Sequence, residues 1–465
     1  MRRGPILVWF LVVLAVAVPA ADRQKADLIV TAAHVVTMDA ALHVYEPGAV
    51  AVRGGRIAAV GTEAEVRAAW SARETCRAGD RWVMPGLINT HDHIAMCLMR
   101  GLADDMELMT WLRKYIFPLE ARVVDARYVH DATLVGCAEL IRRGTTTVVD
   151  MYYFEDEVAR AVREAGLRGW LGQTVIDFKA PDFATPAESL AYTEKCLQKW
   201  SADPLVKVVP APHSTYTCSP ETVRGAADLA RKYGVLLTTH LAESAGEVAD
   251  VQGRYGKTPA GHAAELGLLG KNVLAAHCVQ LTEADLDILQ QTGTAVAHNP
   301  DSNLKLASGL APVTAMRRRG IRVGLGTDGP VSNNRQDLFH AMDLAAKIHK
   351  VRENDAAAMP ALEVVRMATA EGARAVGAEA VTGTLEAGKQ ADLIVLDLSG
   401  PAYGPVYNIY SHLVYVAHGE AVESTMVAGR WLMKDRRLLT LDERRLARIL
   451  DDYRGRIRRI IAEQP

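Results

Sequence analysis

The chain has 465 residues, and because 49% of them are hydrophobic and only 23% are charged, it can bury a large core. Its 53 basic and 55 acidic residues nearly balance, and no basic stretch is interleaved with aromatic residues, so nucleic acid is not an expected partner. The sequence leaves the formation of a homo-oligomer open.

The N-terminal segment has the three parts of a secretory signal peptide. Arg2 and Arg3 give a short positive region, an apolar run follows over 6–18, and Ala20 and Ala21 supply small residues for cleavage. We therefore expect the mature protein to be exported, as a periplasmic or secreted protein with no membrane partner. If the segment is not cleaved, it would instead anchor the protein in the membrane.

Apolar, β-branched segments alternate with helical segments through the middle of the chain. The predicted strands end in the following stretches, in chain order: VMPGLINTHDH, TTTVVDMYY, RGWLGQTVIDF, VKVVPAPHS, VLLTTHLAES, NVLAAHCVQ, TAVAHNPDSN and RVGLGTDGP. Among the helical segments, SPETVRGAADLARKYG has Ser219 and Pro220 where a helix begins and Gly234 where it ends. Eight strand–helix units over 84–381 predict an α/β fold, a (β/α)8 barrel of the TIM type.

The two ends of the chain read instead as short strands separated by turns. Gly54 and Gly55 separate two apolar runs, which indicates a hairpin. We expect residues 22–83 and 382–465 to form one small β-sandwich domain, with a helix at the C-terminus, after a signal peptide over 1–21. The six cysteines contain no Cys-x-x-Cys pair and are expected to be buried free thiols.

Polar side chains recur at the ends of the predicted central strands. The stretch INTHDHIAM places His91 and His93 two residues apart after strand 1, so that in a strand both face the same side. The further residues of this kind are His213 after strand 4, His240 and Glu243 after strand 5, His277 after strand 6 and Asp328 after strand 8. In this fold the carboxyl ends of the strands form the active-site face, so we expect these residues to meet there as a metal site.

The expected metal ligands are His91, His93, His240 and Asp328. Imidazole with carboxylate suits Zn²⁺, with Fe²⁺ as the alternative, and hydrolysis without redox chemistry favours zinc. A second metal would typically need a bridging lysine at the carboxyl end of strand 4, whereas Lys207 lies at its other end. We therefore expect one zinc ion per chain, with one coordination position open for water.

A hydrolytic metal site also needs side chains that hold water and move protons. Glu243, three residues after His240, is the expected proton shuttle, and His277 is expected to hold and polarise the attacking water. Asp328 can both bind the metal and accept a hydrogen bond from the water. A metal- or purine-binding protein without activity is the non-enzymatic alternative. It predicts an incomplete ligand set, whereas this set is complete.

Longer motifs surround these residues. They are NTHDHIAMCLMRGLADD, IFPLE, APHSTYTCS, HLAES, HNPDSNLKLASG, GTDGPVSNN and GTLEAGKQADLIVLD. With them, essentially all of the mature sequence resembles the amidohydrolase superfamily and, within it, the 5′-methylthioadenosine/S-adenosylhomocysteine deaminases. The resemblance implies zinc-dependent hydrolytic deamination of an adenine nucleoside, namely methylthioadenosine, adenosine or S-adenosylhomocysteine, with release of ammonia. Triazine hydrolases share much of the motif set, so hydrolysis of another C–N or C–Cl bond on a triazine-like or other N-heterocycle is the alternative.

The resemblance also implies which residues bind substrate. Glu120 in IFPLE would bind the ribose hydroxyls and His213 would hydrogen-bond the purine, while Glu243 and Asp328 would contact the reacting ring. In that family, arginines can clamp the carboxylate of S-adenosylhomocysteine. Gln173 stands where we would place one such arginine, which leaves the clamp incomplete.

Two further groups of residues have plainer interpretations. Trp111, with Leu108 and Leu112, is expected to pack in the core rather than to line the site. His298, which follows strand 7, is expected either to orient a ligand or substrate or to belong to a structural turn.

Overall fold

The computed structural model describes residues 23–463, so the predicted signal peptide lies outside the described residues. The strands in this range are β1 (Gln24–Ala32), β2 (His34–Val36), β3 (Val44–Tyr45), β4 (Gly48–Arg53), β5 (Arg56–Thr62), β6 (Trp70–Arg77), β7 (Trp82–Pro85), β8 (Leu87–Asp92), β9 (Thr145–Tyr152), β10 (Arg168–Val175), β11 (Val206–Pro212), β12 (Leu237–Leu241), β13 (Val273–His277), β14 (Ala295–His298), β15 (Val323–Leu325), β16 (Leu393–Leu396), β17 (Val422–Val427), β18 (Arg430–Lys434) and β19 (Arg437–Leu438).

The α-helices are α1 (Glu63–Ala69), α2 (Leu108–Thr110), α3 (Phe117–Val123), α4 (Ala126–Arg142), α5 (Glu155–Ala165), α6 (Pro186–Trp200), α7 (Pro220–Tyr233), α8 (Ala245–Tyr255), α9 (Pro259–Glu265), α10 (Glu283–Thr292), α11 (Pro300–Lys305), α12 (Val313–Arg318), α13 (Leu338–Glu353), α14 (Ala361–Met367), α15 (Ala370–Ala375), α16 (Ile409–Tyr415) and α17 (Glu443–Ala462). Shorter 3₁₀ segments are Ile94–Met99, Pro401–Tyr403 and Gly419–Ala421, and a π-helical segment is Trp111–Ile116. Within 23–463, no helix combines the length and the apolar character needed to cross a membrane.

Strands from both ends of the chain form two sheets. The first has the order β5-β4-β1-β6, and the second has seven strands in the order β19-β18-β17-β16-β7-β2-β3. In the second sheet the C-terminal β16 pairs antiparallel with the N-terminal β7, with Leu393 opposite Pro85. Buried Val30 and Val50 of the first sheet belong to the same apolar cluster as Val83 and Leu393 of the second. The two sheets therefore share an apolar core.

Three local signals in the sequence are confirmed. Gly54 and Gly55 have φ of +58° and +76° and turn the chain between β4 and β5. The Oγ of Ser219 accepts a hydrogen bond from a backbone N–H in the first turn of α7, and Gly234 ends that helix with φ of +61°. The C-terminal helix is α17.

The six cysteines are all free, and all but Cys76 are buried.

The eight central strands predicted from the sequence are present as β8 to β15. They form two parallel sheets of four strands, in the orders β11-β10-β9-β8 and β12-β13-β14-β15. Backbone hydrogen bonds of 3.0 Å link the outer strands of these sheets, from the N–H of His240 to the carbonyl of His213 and from the N–H of Asp328 to the carbonyl of His91. The fold is therefore α/β, and the carboxyl ends of strands from both sheets lie together.

The central strands are covered on both faces, which explains their composition. Every residue of β8 and of β9 is buried. The connecting helices turn buried apolar residues toward the strands, as with Val158 and Val162 of α5, which lie one helical turn apart. Strands buried on both faces read as nearly continuous apolar runs, and this is why they can be found in the sequence.

A buried ion pair joins the central sheets to the sheet built from both chain ends. Nε of Arg168 in β10 lies 3.0 Å from Oδ2 of Asp392, and the two side chains are 4% and 0% exposed. Asp392 precedes β16, and its Oδ1 accepts a hydrogen bond from the N–H of Ala428 at 2.7 Å. Because both charges are removed from water, each depends on the other for compensation.

Asp392→Asn is expected to lower the free energy of unfolding by about 3–5 kcal/mol, because it leaves the Arg168 guanidinium buried without a counter-charge. Urea unfolding measures the change. The matched control is Glu157→Gln, which removes the acid of the surface pair with Arg160 and is expected to cost at most about 1 kcal/mol. Equal losses in the two variants would contradict the role given to the buried pair.

Candidate active site

His91 and His93 stand at the end of β8, as the sequence predicts. Their ring centroids lie 4.9 Å apart, and His91 is fully buried. Among the described residues, neither ring nitrogen of His91 has a hydrogen-bond partner. Nε2 of His91 and Nε2 of His93 lie 3.5 Å and 3.3 Å from Oδ1 of Asp328, which follows β15. Buried polar atoms need a partner, and an ion bound among these atoms would supply one.

His240 brings a third imidazole from the second central sheet. Its Nε2 lies 3.3 Å from Nε2 of His93. The Nδ1 of His240 donates to the carbonyl oxygen of His213 at 2.9 Å, and the Nδ1 of His93 donates to the carbonyl oxygen of Met151. Because a carbonyl oxygen only accepts, each ring carries a proton on Nδ1 and turns its Nε2 toward the cluster.

Tight backbone packing places Asp328 against β8. A Cβ at Gly326 would lie 2.3 Å from Oδ1 of Asn299 and 3.0 Å from the backbone nitrogen of His91, so only glycine fits there. Asp328 itself has φ of +60°, in the left-handed region that costs a non-glycine residue on the order of 1–2 kcal/mol. Backbone strain at a buried polar residue indicates a position kept for function rather than for stability.

The cluster combines buried imidazoles with a carboxylate, and the imidazoles differ in charge. Burial lowers the pKa of His91 and of His240 well below the usual histidine range, and repulsion by neighbouring histidines adds to the effect. Burial opposes the charge on Asp328, but the hydrogen bond from His93 and the nearby histidines hold its pKa well below normal. Burial also opposes the charge on His93, yet Asp328 raises the pKa of that ring to about 9. Asp328 thus already balances one positive charge, which a metal cation can replace.

These residues suit a metal ion. The donor atoms of His91, His93 and His240 lie within 4.8 Å of one another, and so do those of His91, His277 and Asp328. Three imidazole nitrogens and one carboxylate oxygen form a donor set that first-row metals such as Zn²⁺ prefer. The four residues predicted as ligands therefore lie together, and their role as ligands stays a prediction.

Glu243 and His277 lie side by side next to the cluster. Oε2 of Glu243 is 3.7 Å from Nε2 of His277, and Oε1 is buried without a hydrogen-bond partner among the described residues. Nδ1 of His277 lies 2.8 Å from Oδ1 of Asn303, so this nitrogen donates and Nε2 can accept. Burial, together with the charge of Asp328, raises the pKa of Glu243 well above its usual range.

A cavity adjoins the cluster. The predicted site residues on its wall are His93, Glu120, His213, His240, Glu243, His277 and Asp328, whereas His91 does not line it. Tyr152 donates to Oε1 of Glu120 at 2.7 Å, and burial raises the pKa of Glu120 to about 7. Burial and the neighbouring histidines lower the pKa of His213 to about 3, so this ring is neutral.

The apolar part of the wall corrects one interpretation of the sequence. Leu108, Trp111 and Leu112 are buried, as packing requires, but all three also line the cavity. Their apolar character fits either role, and only the tertiary arrangement reveals the second. His298 is buried with its Nε2 3.1 Å from Nε2 of His349, and it does not line the cavity. This contact favours a structural role for His298.

Sequence reasoning missed several residues of the site. Tyr152 ends β9 and Tyr153 follows it, and both line the cavity. The strand-end rule that found the histidines could have found these two tyrosines as well. Asn303 in α11, which orients His277, carries no such signal, because its contact depends on how a helix packs beside a neighbouring strand.

Comparison with known proteins identifies the family. The model of the amidohydrolase family matches residues 82–432, and a model described as an imidazolonepropionase-like composite domain of bacteria matches residues 48–70. The chain belongs to the amidohydrolase family.

Similar proteins cover nearly the whole chain. A 5-methylthioadenosine/S-adenosylhomocysteine deaminase 1 of Syntrophus aciditrophicus (strain SB) is 46% identical over 95% of this chain and 99% of its own. A 5′-deoxyadenosine deaminase of Methanosarcina mazei is 41% identical over 90% of this chain and 96% of its own. The crystal structure of an adenosine deaminase from Xanthomonas campestris with bound zinc is 37% identical, covers 94% of this chain and 99% of its own, and has a TM-score of 0.91.

The wild-type protein is expected to hold about one metal ion per chain, and His93→Ala is expected to lose both the metal and activity, because the variant removes a central donor. Elemental analysis of purified protein measures the metal. His43→Ala, a change at an exposed histidine paired with Asp39, is the control and should retain the metal. Two tightly bound metals per chain would contradict the mononuclear assignment, and full metal content in His93→Ala would contradict the ligand set.

Proposed function

We propose that the protein is a zinc-dependent hydrolase that removes the amino group of an adenine nucleoside as ammonia. The observation that carries this proposal is the Glu243–His277 pair beside the His93, His240 and Asp328 cluster on one cavity wall. Hydrolysis of an amino-substituted ring needs a proton donor next to a metal-binding cluster. The names of the similar proteins support the substrate, since methylthioadenosine, S-adenosylhomocysteine, 5′-deoxyadenosine and adenosine share the adenine group.

Zinc is the metal that we propose, at one ion per chain, with Fe²⁺ as the alternative. The histidine-rich donor set and the zinc in the similar adenosine deaminase support this choice. Zinc held by His91, His93, His240 and Asp328 would lower the pKa of water toward about 7 and so provide a nucleophile at neutral pH. The proton transfers are assigned to side chains of the protein.

Three side chains divide the work on water and protons. Nε2 of His277 accepts a hydrogen bond from the attacking water, and Asp328 takes up one proton of that water as its oxygen adds to the amino-bearing ring carbon. Glu243 gives its carboxyl proton to the adjacent ring nitrogen. The hydroxyl proton of the adduct then returns to Glu243, and the proton held by Asp328 passes to the amino group, which leaves as ammonia. Water is consumed, and both carboxyl groups end as they began.

Glu120 supports a nucleoside rather than a free base as substrate. Its carboxyl group is buried on the cavity wall, where Tyr152 donates to it at 2.7 Å. A carboxylate offers two acceptor oxygens, which suits the paired hydroxyls of a ribose. The alternative function is hydrolysis of another C–N or C–Cl bond on a triazine-like or other N-heterocycle. Glu243 and His277 would serve both, but a ring without a sugar would not use Glu120.

The charge of the cavity favours a substrate without an anionic 5′ group. Within the described part of the chain, the wall carries the acids Glu120, Glu243 and Asp328 and no lysine or arginine. Gln173, at the position expected for a clamping arginine, is buried, and its Nε2 donates to Oδ2 of Asp182 at 2.8 Å. A phosphate or carboxylate buried here would find no lysine or arginine among the described residues of the wall to balance its charge. Adenosine, methylthioadenosine and 5′-deoxyadenosine are therefore the preferred substrates.

The proposal includes the architecture and the location of the protein. The two central sheets would close into a (β/α)8 barrel over 84–381, and the backbone hydrogen bonds at both of their outer edges support closure. Residues 22–83 and 382–465 would form one β-domain, since their strands share a sheet. Export to the periplasm or the medium is proposed from the signal-like segment 1–21.

Glu243→Gln keeps the shape of the side chain but cannot release a proton. We expect kcat to fall by at least about 100-fold, as for other acid–base groups, while zinc stays bound. Ammonia release and elemental analysis measure the two effects. Glu188→Gln, at an exposed acid of α6, is the control and should leave kcat unchanged. Near-normal turnover of Glu243→Gln with its metal in place would assign the proton transfer to other groups, Asp328 and His277 first.

Adenosine is expected to exceed adenine in kcat/KM by at least about tenfold, because hydrogen bonds to a charged group contribute about 1.5–3 kcal/mol. Adenosine and methylthioadenosine should exceed AMP in kcat/KM by a similar factor, because no lysine or arginine among the described wall residues balances a phosphate. Glu120→Gln should lower kcat/KM for adenosine and leave the value for adenine within about twofold. Ammonia release from each compound measures these ratios.

When a triazine and S-adenosylhomocysteine are added to this comparison, three outcomes would contradict parts of the proposal. If kcat/KM is highest for adenine, Glu120 is not part of the substrate site. If it is highest for a triazine, the alternative function is favoured. If it is highest for S-adenosylhomocysteine, a cation outside the wall, with Lys179 as the first candidate, completes the clamp.

A further inference from the structure

Glu247 in the first turn of α8 is a buried acid with an unusual set of partners. It is 0% exposed, and its Oε1 accepts a hydrogen bond from the N–H of Ala242 at 2.9 Å. Its Oε2 accepts from the N–H of Glu243 at 2.7 Å. The Oγ of Ser244, which caps α8, accepts from the N–H of Glu247 at 3.2 Å. One carboxylate therefore binds the two backbone groups that lead into the cap.

Other caps in this chain use the corresponding residue differently. In a capping box the third helical residue bonds the backbone N–H of the cap itself, as Asp285 does to Thr282 in α10 at 2.9 Å. Glu247 is also the third residue after its cap, but it reaches past Ser244 to the residues before it. Its bonds hold the segment between β12 and α8 rather than the helix start alone.

The segment that Glu247 holds is strained and also linked to the His277 loop. Ala242 has φ of +51°, which an alanine adopts only when its surroundings enforce it. The carbonyl oxygen of Ala242 accepts from the N–H of Val279 at 3.0 Å and of Gln280 at 2.8 Å. Both donors follow His277, which has φ of +72°. The carbonyl of Ala242 and the N–H of Glu243 belong to the same peptide group. Glu247 therefore holds the N–H of this peptide, while its carbonyl oxygen holds the loop that follows His277.

The side chain of Glu243 receives little support of its own. Oε1 has no hydrogen-bond partner in 23–463, and Oε2 approaches His277 only to 3.7 Å. A shuttle must keep its oxygens free for substrate, so its position has to come from the backbone. The N–H of Glu243 itself is one of the two groups bound by Glu247.

We propose that Glu247 is a positioning residue for the proton shuttle: by binding the N–H groups of Ala242 and Glu243, it aims the Glu243 carboxyl group at the substrate. The inference rests on the proposed function, in which Glu243 moves the protons. Glu247 itself does not line the cavity and would act through the backbone alone.

A double-mutant cycle tests this role. Glu247→Gln turns one acceptor into an N–H donor that faces a backbone N–H, and we expect kcat for methylthioadenosine to fall at least about tenfold with KM within about twofold. Zinc content should not change. In the Glu243→Gln background the same substitution should change kcat by less than about twofold, because no shuttle remains to be positioned. Asp285→Asn, the loss of a buried cap acid in α10, is the matched control and should leave kcat within about twofold.

The outcomes separate positioning from mere structural support. Normal kcat in Glu247→Gln, a loss equal to that of Asp285→Asn, or a full additional loss in the Glu243→Gln background would each overturn the proposal. If Glu247→Gln does not fold, Glu247→Asp carries the same cycle, because its shorter side chain withdraws the acceptors but keeps the charge. A wild-type protein that releases no ammonia from any adenine nucleoside would contradict the proposed function, whereas an active wild type with an unaffected Glu247→Gln contradicts only the positioning role.

Discussion

Two backbone hydrogen bonds hold the site together. The N–H of Asp328 donates to the carbonyl of His91, and the N–H of His240 donates to the carbonyl of His213. Each of these two hydrogen bonds between the central sheets therefore involves a residue that is predicted to bind metal. Because those residues come from both sheets, the cluster forms only while the sheets keep this register. A shift by one residue would turn each strand's side chains to the opposite face.

A network of buried polar groups next to the histidines holds the ends of β8 and β15 in place. Asp92 stands between His91 and His93 in the sequence, and it accepts hydrogen bonds from Nδ2 of Asn89 at 2.8 Å and from Nε2 of Gln336 at 3.0 Å. Burial raises the pKa of Asp92 well above its usual range, so these bonds are needed to offset the loss of water. Asn89 also accepts a hydrogen bond from the segment after β15. The network ties together the two strand ends that supply three of the four predicted ligands.

The parts of the fold and site that follow local rules are the parts that the sequence predicts. Buried parallel strands can be recognised in the sequence as apolar runs. His240 and His277 stand where such runs end, which assigns them to the active-site face. An apolar residue gives no such signal, so the sequence does not distinguish a Trp111 packed in the core from a Trp111 that lines a cavity. Glu247 reads as an ordinary cap residue after Ser244, and its bonds to the preceding N–H groups depend on the path of the whole loop. Contacts between segments, not residue types, decide these roles.

Zinc titration of the metal-stripped protein tests most directly whether the histidine–aspartate cluster and Glu243 work as one hydrolytic site. Ammonia release from methylthioadenosine would be followed as zinc is added and as bound zinc is measured. The site described here predicts that activity rises in proportion to bound zinc and stops rising at about one equivalent per chain. Full activity in the metal-free protein, or a rise that continues to about two equivalents, would contradict it.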